Sequence, residues 1–250
     1  MNENLKQWKY EENIARIYGW DFSHIDGKYL EEELSWNYKN IINKYLKPND
    51  ILLDIDTGGG EFLLSLNHLC DKTYATEGYP PNVELCKNRL LSLGINFFEV
   101  TDYSKMPFKN EQFDIIINRH GKYNIQELHR ILKKDGIFIT QQVGEDNDRE
   151  LVELLLPNTP KQFKGLNLTH QKRLFLNQGF SIIDEKEDFK SIKFFDVGAL
   201  IWFAKIIQWE FIDFSVDKCY NQLLKAQNIL ESNGSINGTI HRYLIVAQKI

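Results

Sequence analysis

Short apolar runs that end on an acid or a polar turn recur through the chain and set its layout. Residues 51–55 read as a buried strand, because a continuous apolar run bounded by turn residues suits a strand covered on both faces. Residues 72–77 read as a second strand ending at Glu77, residues 96–101 as a third ending at Asp102, and residues 113–118 as a fourth. The spacing then predicts a helix over 124–134, whose basic last turn suits the helix dipole and which Asp135-Gly136 stops. A strand over 137–140 follows, and two more are expected near 180–183 and 242–247. Strands alternating with helices in this way describe an α/β chain with a mostly parallel sheet.

The joint after the first strand, Asp56-Thr57-Gly58-Gly59-Gly60-Glu61-Phe62, carries the most chemistry. Its glycines let the backbone turn tightly and approach a ligand, and a following helix would offer N–H groups to a carboxylate or phosphate. Glu77, at the end of the next strand, stands where a carboxylate takes both hydroxyls of a ribose. A nicotinamide dinucleotide is a poor fit, because the third glycine of Gly-x-Gly-x-x-Gly would fall at Leu63.

With these residues in these places, the chain resembles the class I S-adenosylmethionine-dependent methyltransferases, in particular the type 11 methyltransferase domains. The likeness is strongest over residues 45–143. It implies a Rossmann-like, doubly wound, mostly parallel seven-stranded sheet with a reversed last strand. To this are added an N-terminal helical lid (1–45), a cofactor-binding core (46–190), a helical insertion over the acceptor site (191–238) and a last strand (239–250), all within a single domain. By position Asp54 matches the family's first acid, Gly58 and Gly60 its second and third glycines, Glu77 its ribose-binding acid and Asp102 its adenine-contacting acid. Tyr103 and Asn118 complete the cofactor-binding residues that the resemblance implies. The stretch 128–136 resembles a structural segment of the family.

Asp56 departs from the pattern, standing where the family has its first glycine. Its carboxylate either repels the cofactor's own carboxylate or accepts a hydrogen bond from the cofactor's ammonium group. At about 4 Å the repulsion would be worth roughly 4 kcal/mol at an effective dielectric near 20.

Three segments are candidates for the acceptor's site. In the first, Trp20, Phe22 and His24 either contact a ligand or anchor a helix. In the second, just past the fourth strand, His120 is a candidate base and Arg119 a candidate holder of an anionic group. In the third, Trp202 and Trp209, with Phe203 and Phe211, either line an apolar pocket or pack in a core.

Composition narrows the partners. At 250 residues, 42% hydrophobic and 26% charged, the chain can bury a substantial core, and its net charge of −5 gives no broad field for tracking phosphates. A small-molecule acceptor is therefore expected, and nucleic acid and membrane are not. RNA or protein as acceptor, and a non-catalytic cofactor-binding protein, are the alternative readings. The first residues lack the apolar core of a leader, and no run approaches the roughly 20 apolar residues of a membrane span, so a cytoplasmic protein is expected. Cys70, Cys86 and Cys219 are odd in number and lack metal-ligand spacing, which points to free thiols and no metal site.

Overall fold

The computed structural model describes residues 3–16 and 21–250, which divide into two compact units. The larger holds residues 35–144, 165–187 and 242–250, and the smaller the rest of the described chain. In the larger unit lie α2 (Tyr38–Tyr45), β2 (Leu52–Ile55), α3 (Glu61–Ser65), β3 (Thr73–Glu77), α4 (Pro80–Leu90), β4 (Asn96–Glu99), β5 (Phe113–Arg119), α5 (Ile125–Ile131), β6 (Leu132–Val143) and α7 (Leu168–Asn177). In the smaller lie α1 (Glu3–Ile14), β1 (Tyr29–Glu31), α6 (Arg149–Leu155), α8 (Val197–Ile206) and α9 (Tyr220–Asn233). Strands β7 (Phe180–Phe194) and β8 (Ile236–Lys249) each contribute residues to both units.

In the larger unit the strands run in the order β7-β8-β6-β5-β2-β3-β4. Strands β6, β5, β2, β3 and β4 are parallel, while β8 runs antiparallel to β6, so the reversed last strand is present. Strand β2 is buried throughout because it has a neighbour on each side and a covered face above and below. The chain winds outward through β3 and β4 on one side of β2 and through β5 and β6 on the other. The order therefore switches between β2 and β5, where open α/β sheets hold ligands beyond the strands' carboxyl ends.

Eight strands are present among the described residues, one more than the expected seven. The addition is β1 in the smaller unit, which pairs antiparallel with the end of β7 through Tyr29↔Phe194. Three residues are too few for an alternating pattern to show. Strand β7 likewise runs on to Phe194, well past 183, with Phe189 stacked on His241 at 4.2 Å between ring centres.

The helix expected over 124–134 ends at Ile131. Leu132 is fully buried and pairs with Phe113 as the first residue of β6, and the register shifts before Ile115↔Ile137. Asp135 takes a left-handed φ of 62° in this irregular stretch, and Lys133 turns back to bond Asp114 at 2.8 Å. Pairing with β5 therefore outweighs the helical pattern of the basic residues.

Each unit has its own apolar core. In the larger, Leu53, Ile116, Phe138, Phe175 and Tyr243 pack together, and in the smaller Trp8, Phe194, Leu200, Trp202 and Leu223 do so. The cysteines are free, Cys86 and Cys219 buried and Cys70 half-buried. Among the described residues, no helix is long and apolar enough to cross a membrane.

Candidate active site

The sheet register brings the chemistry-bearing residues of the larger unit to one edge. Asp54 pairs across to Ala75 and Ile117, Ile55 to Asn118, and Arg119 to Gln141, so these side chains stand at successive carboxyl ends of β2, β5 and β6. Glu77 closes β3 beside them.

Asp54 is buried and accepts a hydrogen bond from Thr57 Oγ1 at 2.7 Å. Burial pushes its carboxyl up to about 7, against the opposing pull of the Thr57 bond and the Arg119 charge. The buried carboxyl of Glu77 is gripped by main-chain N–H groups: Gly58 donates to Oε2 at 2.9 Å, and Gly78 and Tyr79 to Oε1 at 2.8 Å each. Glu77 thus ties the glycine turn to the end of β3. The turn takes left-handed φ values of 65° at Gly58 and 83° at Gly60, which a β-carbon would oppose. A β-carbon on Gly58 would meet no heavy atom within 4 Å, so open space lies over this part of the backbone. The helix beyond the turn, α3, has only five residues.

The φ of Asp56 is 55°, a left-handed conformation that aspartate tolerates better than most residues, so the residue occupies a glycine-like position with a side chain attached. That side chain is committed: Tyr103 Oη donates to Oδ1 and the Lys122 N–H to Oδ2 at 2.8 Å. Burial raises the carboxyl's pKa, and the Tyr103 bond works against it. Asp56 is therefore a knot joining the loops after β2, β4 and β5, an arrangement neither of the two sequence readings contained. Gly121 permits it, since a β-carbon there would lie 2.4 Å from that of Asp56.

Asn118 is wholly buried and spends its amide inside the sheet, donating to Ile55 O at 2.9 Å and accepting from Gln142 Nε2 at 2.5 Å. Asp102 lies in the turn beyond β4, exposed, and bonds from the Ser104 N–H and hydroxyl hold it below the usual carboxylate range. Arg119 and His120 are exposed at the end of β5. The Arg119 guanidinium sits 4.3 Å from the centre of the Phe62 ring. His120 takes a left-handed φ of 63°, and its surroundings with the charges of Arg242 and Arg119 hold its imidazole well below the usual histidine range.

The other expected acceptor residues lie in the smaller unit, apart from Trp20, which is outside the described residues. Trp202 is 2% exposed, with Phe22 and His24 against it at 5.7 and 5.4 Å between ring centres. His24 bonds Glu11 at 2.7 Å. Here the geometry is that of a packed core. Trp209 is 45% exposed.

Four participants were not foreseen: Gln141, Gln142, Thr57 and Gly121. The two glutamines carried a signal, being adjacent amides inside the apolar stretch 137–143, where a buried polar group requires partners.

Residues 53–140 match the family described as Methyltransferase domain. "Putative 23S rRNA (guanine-N(1)-)-methyltransferase YxjB" of Bacillus subtilis (strain 168) is 28% identical over 157 residues, covering 61% of this chain and 54% of its own. Uncharacterized protein MJ1252 of Methanocaldococcus jannaschii is 30% identical over 164 residues, covering 63% and 59%. The chain thus spans little more than half the length of these relatives. Among solved structures, "a putative methyltransferase (BH2331)" from Bacillus halodurans C-125 superposes with a TM-score of 0.57 at 16% identity, over 85% of this chain and 98% of that one. At that identity the likeness speaks for the fold.

S-adenosylmethionine, the cofactor of such proteins, fits what the larger unit offers: open space over Gly58, a buried acid at Asp54 for a cation, and Glu77 at the end of β3 for hydroxyls. An open sheet wound this way, with a glycine turn at its switch point, is the fold of the class I S-adenosylmethionine-dependent methyltransferases, and residues 53–140 of this chain match a methyltransferase domain.

Proposed function

We propose that the chain transfers a methyl group from S-adenosylmethionine to a small-molecule acceptor in the cytoplasm. The observation that carries the reading is the pair of buried carboxyls, Asp54 and Glu77, flanking the open face of Gly58 at the switch point of the sheet. When bound, the cofactor supplies a methyl group already activated on its sulfonium, transferable by in-line displacement to an oxygen, nitrogen or carbon.

The chain's own residues hold and align. Glu77 takes the ribose hydroxyls, Asp102 the adenine, and Gly58 and Gly60 leave room for close approach. Asp54 faces the cofactor's cationic end, while Asp56 and Tyr103 keep the surrounding loops in place. Arg119 and His120, on the other side of the switch point, face the acceptor. Alignment alone is worth about 7–11 kcal/mol of barrier, so neither a metal nor a covalent nucleophile is needed.

One observation favours a second reading, an RNA acceptor: the Bacillus subtilis relative bears an rRNA methyltransferase name. The net charge of −5 favours the small molecule. Transfer of radiolabelled methyl into cell-extract fractions, at low and high salt, separates the two. Salt-insensitive label in the small-molecule fraction is expected. Label in RNA that vanishes as salt rises, by about one power of ten per tenfold salt for each phosphate neutralised, would establish RNA instead.

A further inference from the structure

We propose that Gln141, oriented by Trp36, fixes the His120 imidazole as the Nδ1-protonated tautomer, so that His120 serves the acceptor as a hydrogen-bond donor and not as a base. The inference rests on the reading above only in placing the acceptor at the end of β5.

An amide's oxygen and nitrogen ends are assigned by what they face. Here Trp36 decides. Its indole Nε1 can only donate, and it lies 2.9 Å from one end of the Gln141 amide, which must therefore be the oxygen. The other end is then the NH2 group, a donor, and it lies 3.3 Å from His120 Nε2. That nitrogen must offer its lone pair, which leaves the proton of the neutral ring on Nδ1. A doubly protonated ring would set N–H against N–H.

The arrangement is held firmly. Trp36 and Gln141 are 8% and 7% exposed, so turning the amide over would bury mismatched donors and acceptors. The Gln141 carbonyl also accepts from the His120 main-chain N–H at 2.9 Å, which ties the histidine to β6 through both main chain and side chain. Its left-handed backbone is the kind of local strain that a surrounding structure sustains at a site.

Two consequences follow for the chemistry. With the lone pair of Nε2 engaged by Gln141, the ring has no free base nitrogen. Nδ1–H makes no hydrogen bond among the described residues, and the charge of Arg119 acts on the same ring. A free N–H under the influence of a cationic side chain suits an acceptor molecule that carries a carbonyl or carboxylate oxygen near the atom to be methylated. His120 is thus the contacting residue, and Gln141 and Trp36 are positioning residues.

The test is a long-range proton–nitrogen spectrum of the full chain labelled with 15N-histidine, the His120 signals being assigned by their absence in His120→Asn. A pyrrole-type Nδ1 and a pyridine-type Nε2 are expected in the wild type, and the reverse pattern or an average of the two overturns the proposal. In Trp36→Phe the amide is free to turn, so averaging should appear, whereas an unchanged pattern would remove Trp36 from the argument. With radiolabelled S-adenosylmethionine and cell extract, His120→Asn, which retains a donor near the place of Nδ1, should fall less than about tenfold, and His120→Leu about a hundredfold. Equal loss in both variants would restore the base. Failure of wild type to bind S-adenosylhomocysteine would instead overturn the methyltransferase reading, leaving the tautomer to be decided by the spectrum alone.

Discussion

At the scale of single residues, Asp54 near the end of β2 and Asp56 in the turn after it do different work although they are only two positions apart. Asp54 has a pKa of about 7 in the fold, against an ordinary value of 3.8. Between those values the folded chain holds a proton that the unfolded chain has released, so this contribution to stability is full below pH 4 and is lost as pH rises through 7. Asp54→Asn, which stays neutral, should therefore gain on the wild type from pH 4 to pH 7, by up to roughly 4 kcal/mol, in denaturant titrations at stepped pH. A parallel pH dependence in the two proteins would show that Asp54 is not held protonated. Asp56 contributes through its bonds to Tyr103 and Lys122 and through a left-handed backbone. Asp56→Ala, which loses the bonds and keeps the strain, should cost about 2–4 kcal/mol, while Asp56→Gly, which relieves the strain, should cost about 1–2 kcal/mol less than Asp56→Ala. If alanine and glycine cost the same, the backbone conformation at 56 carries no strain.

At the scale of elements, α8 shows why aromatic residues in a helix are ambiguous when read from sequence. Residues Val197–Ala204 are all buried, so the helix has no solvated face and its aromatic rings are enclosed on every side. Trp202→Ala should accordingly cost about 3–5 kcal/mol of stability in the smaller unit, as truncation of a large buried ring does. An unfolding midpoint that barely moves would mean that the ring is free to serve a ligand. The same distinction separates α5 from β6. The basic run Lys133-Lys134 looks like the last turn of a helix, but the burial of Leu132 and its pairing with Phe113 end the helix three residues early and start the strand at 132.

At the scale of the whole molecule, the residues proposed to hold the cofactor, from β2, β3, β5 and the turn after β4, all belong to the larger unit. Ligand binding should therefore stabilise that unit first. With S-adenosylhomocysteine at a hundred times its dissociation constant, about 2.7 kcal/mol of added stability is expected. Amide hydrogen exchange should show it as slowed exchange in residues 52–60 and 77–79, with little change in α8 and α9. Protection confined to α8 and α9 would place the ligand elsewhere.

The parallel strands, the glycine turn and the acids at strand ends were legible in the sequence because each depends on local properties: an apolar run, a backbone that must turn, a helix stop. The fold and the family resemblance follow from those patterns. What only the tertiary structure decided is where side chains spend their hydrogen bonds. Asp56 also ties three loops together, because Tyr103 and Lys122 come to it from positions 47 and 66 residues away. Gln141 mattered because β6 pairs with β5 in one register, which sets residue 141 opposite Arg119 and within reach of His120 and Trp36. Trp202 became a core residue because the chain closes around it. A sequence states which groups can donate, accept or pack, but distance selects among those options, and distance between residues far apart in the chain exists only after folding.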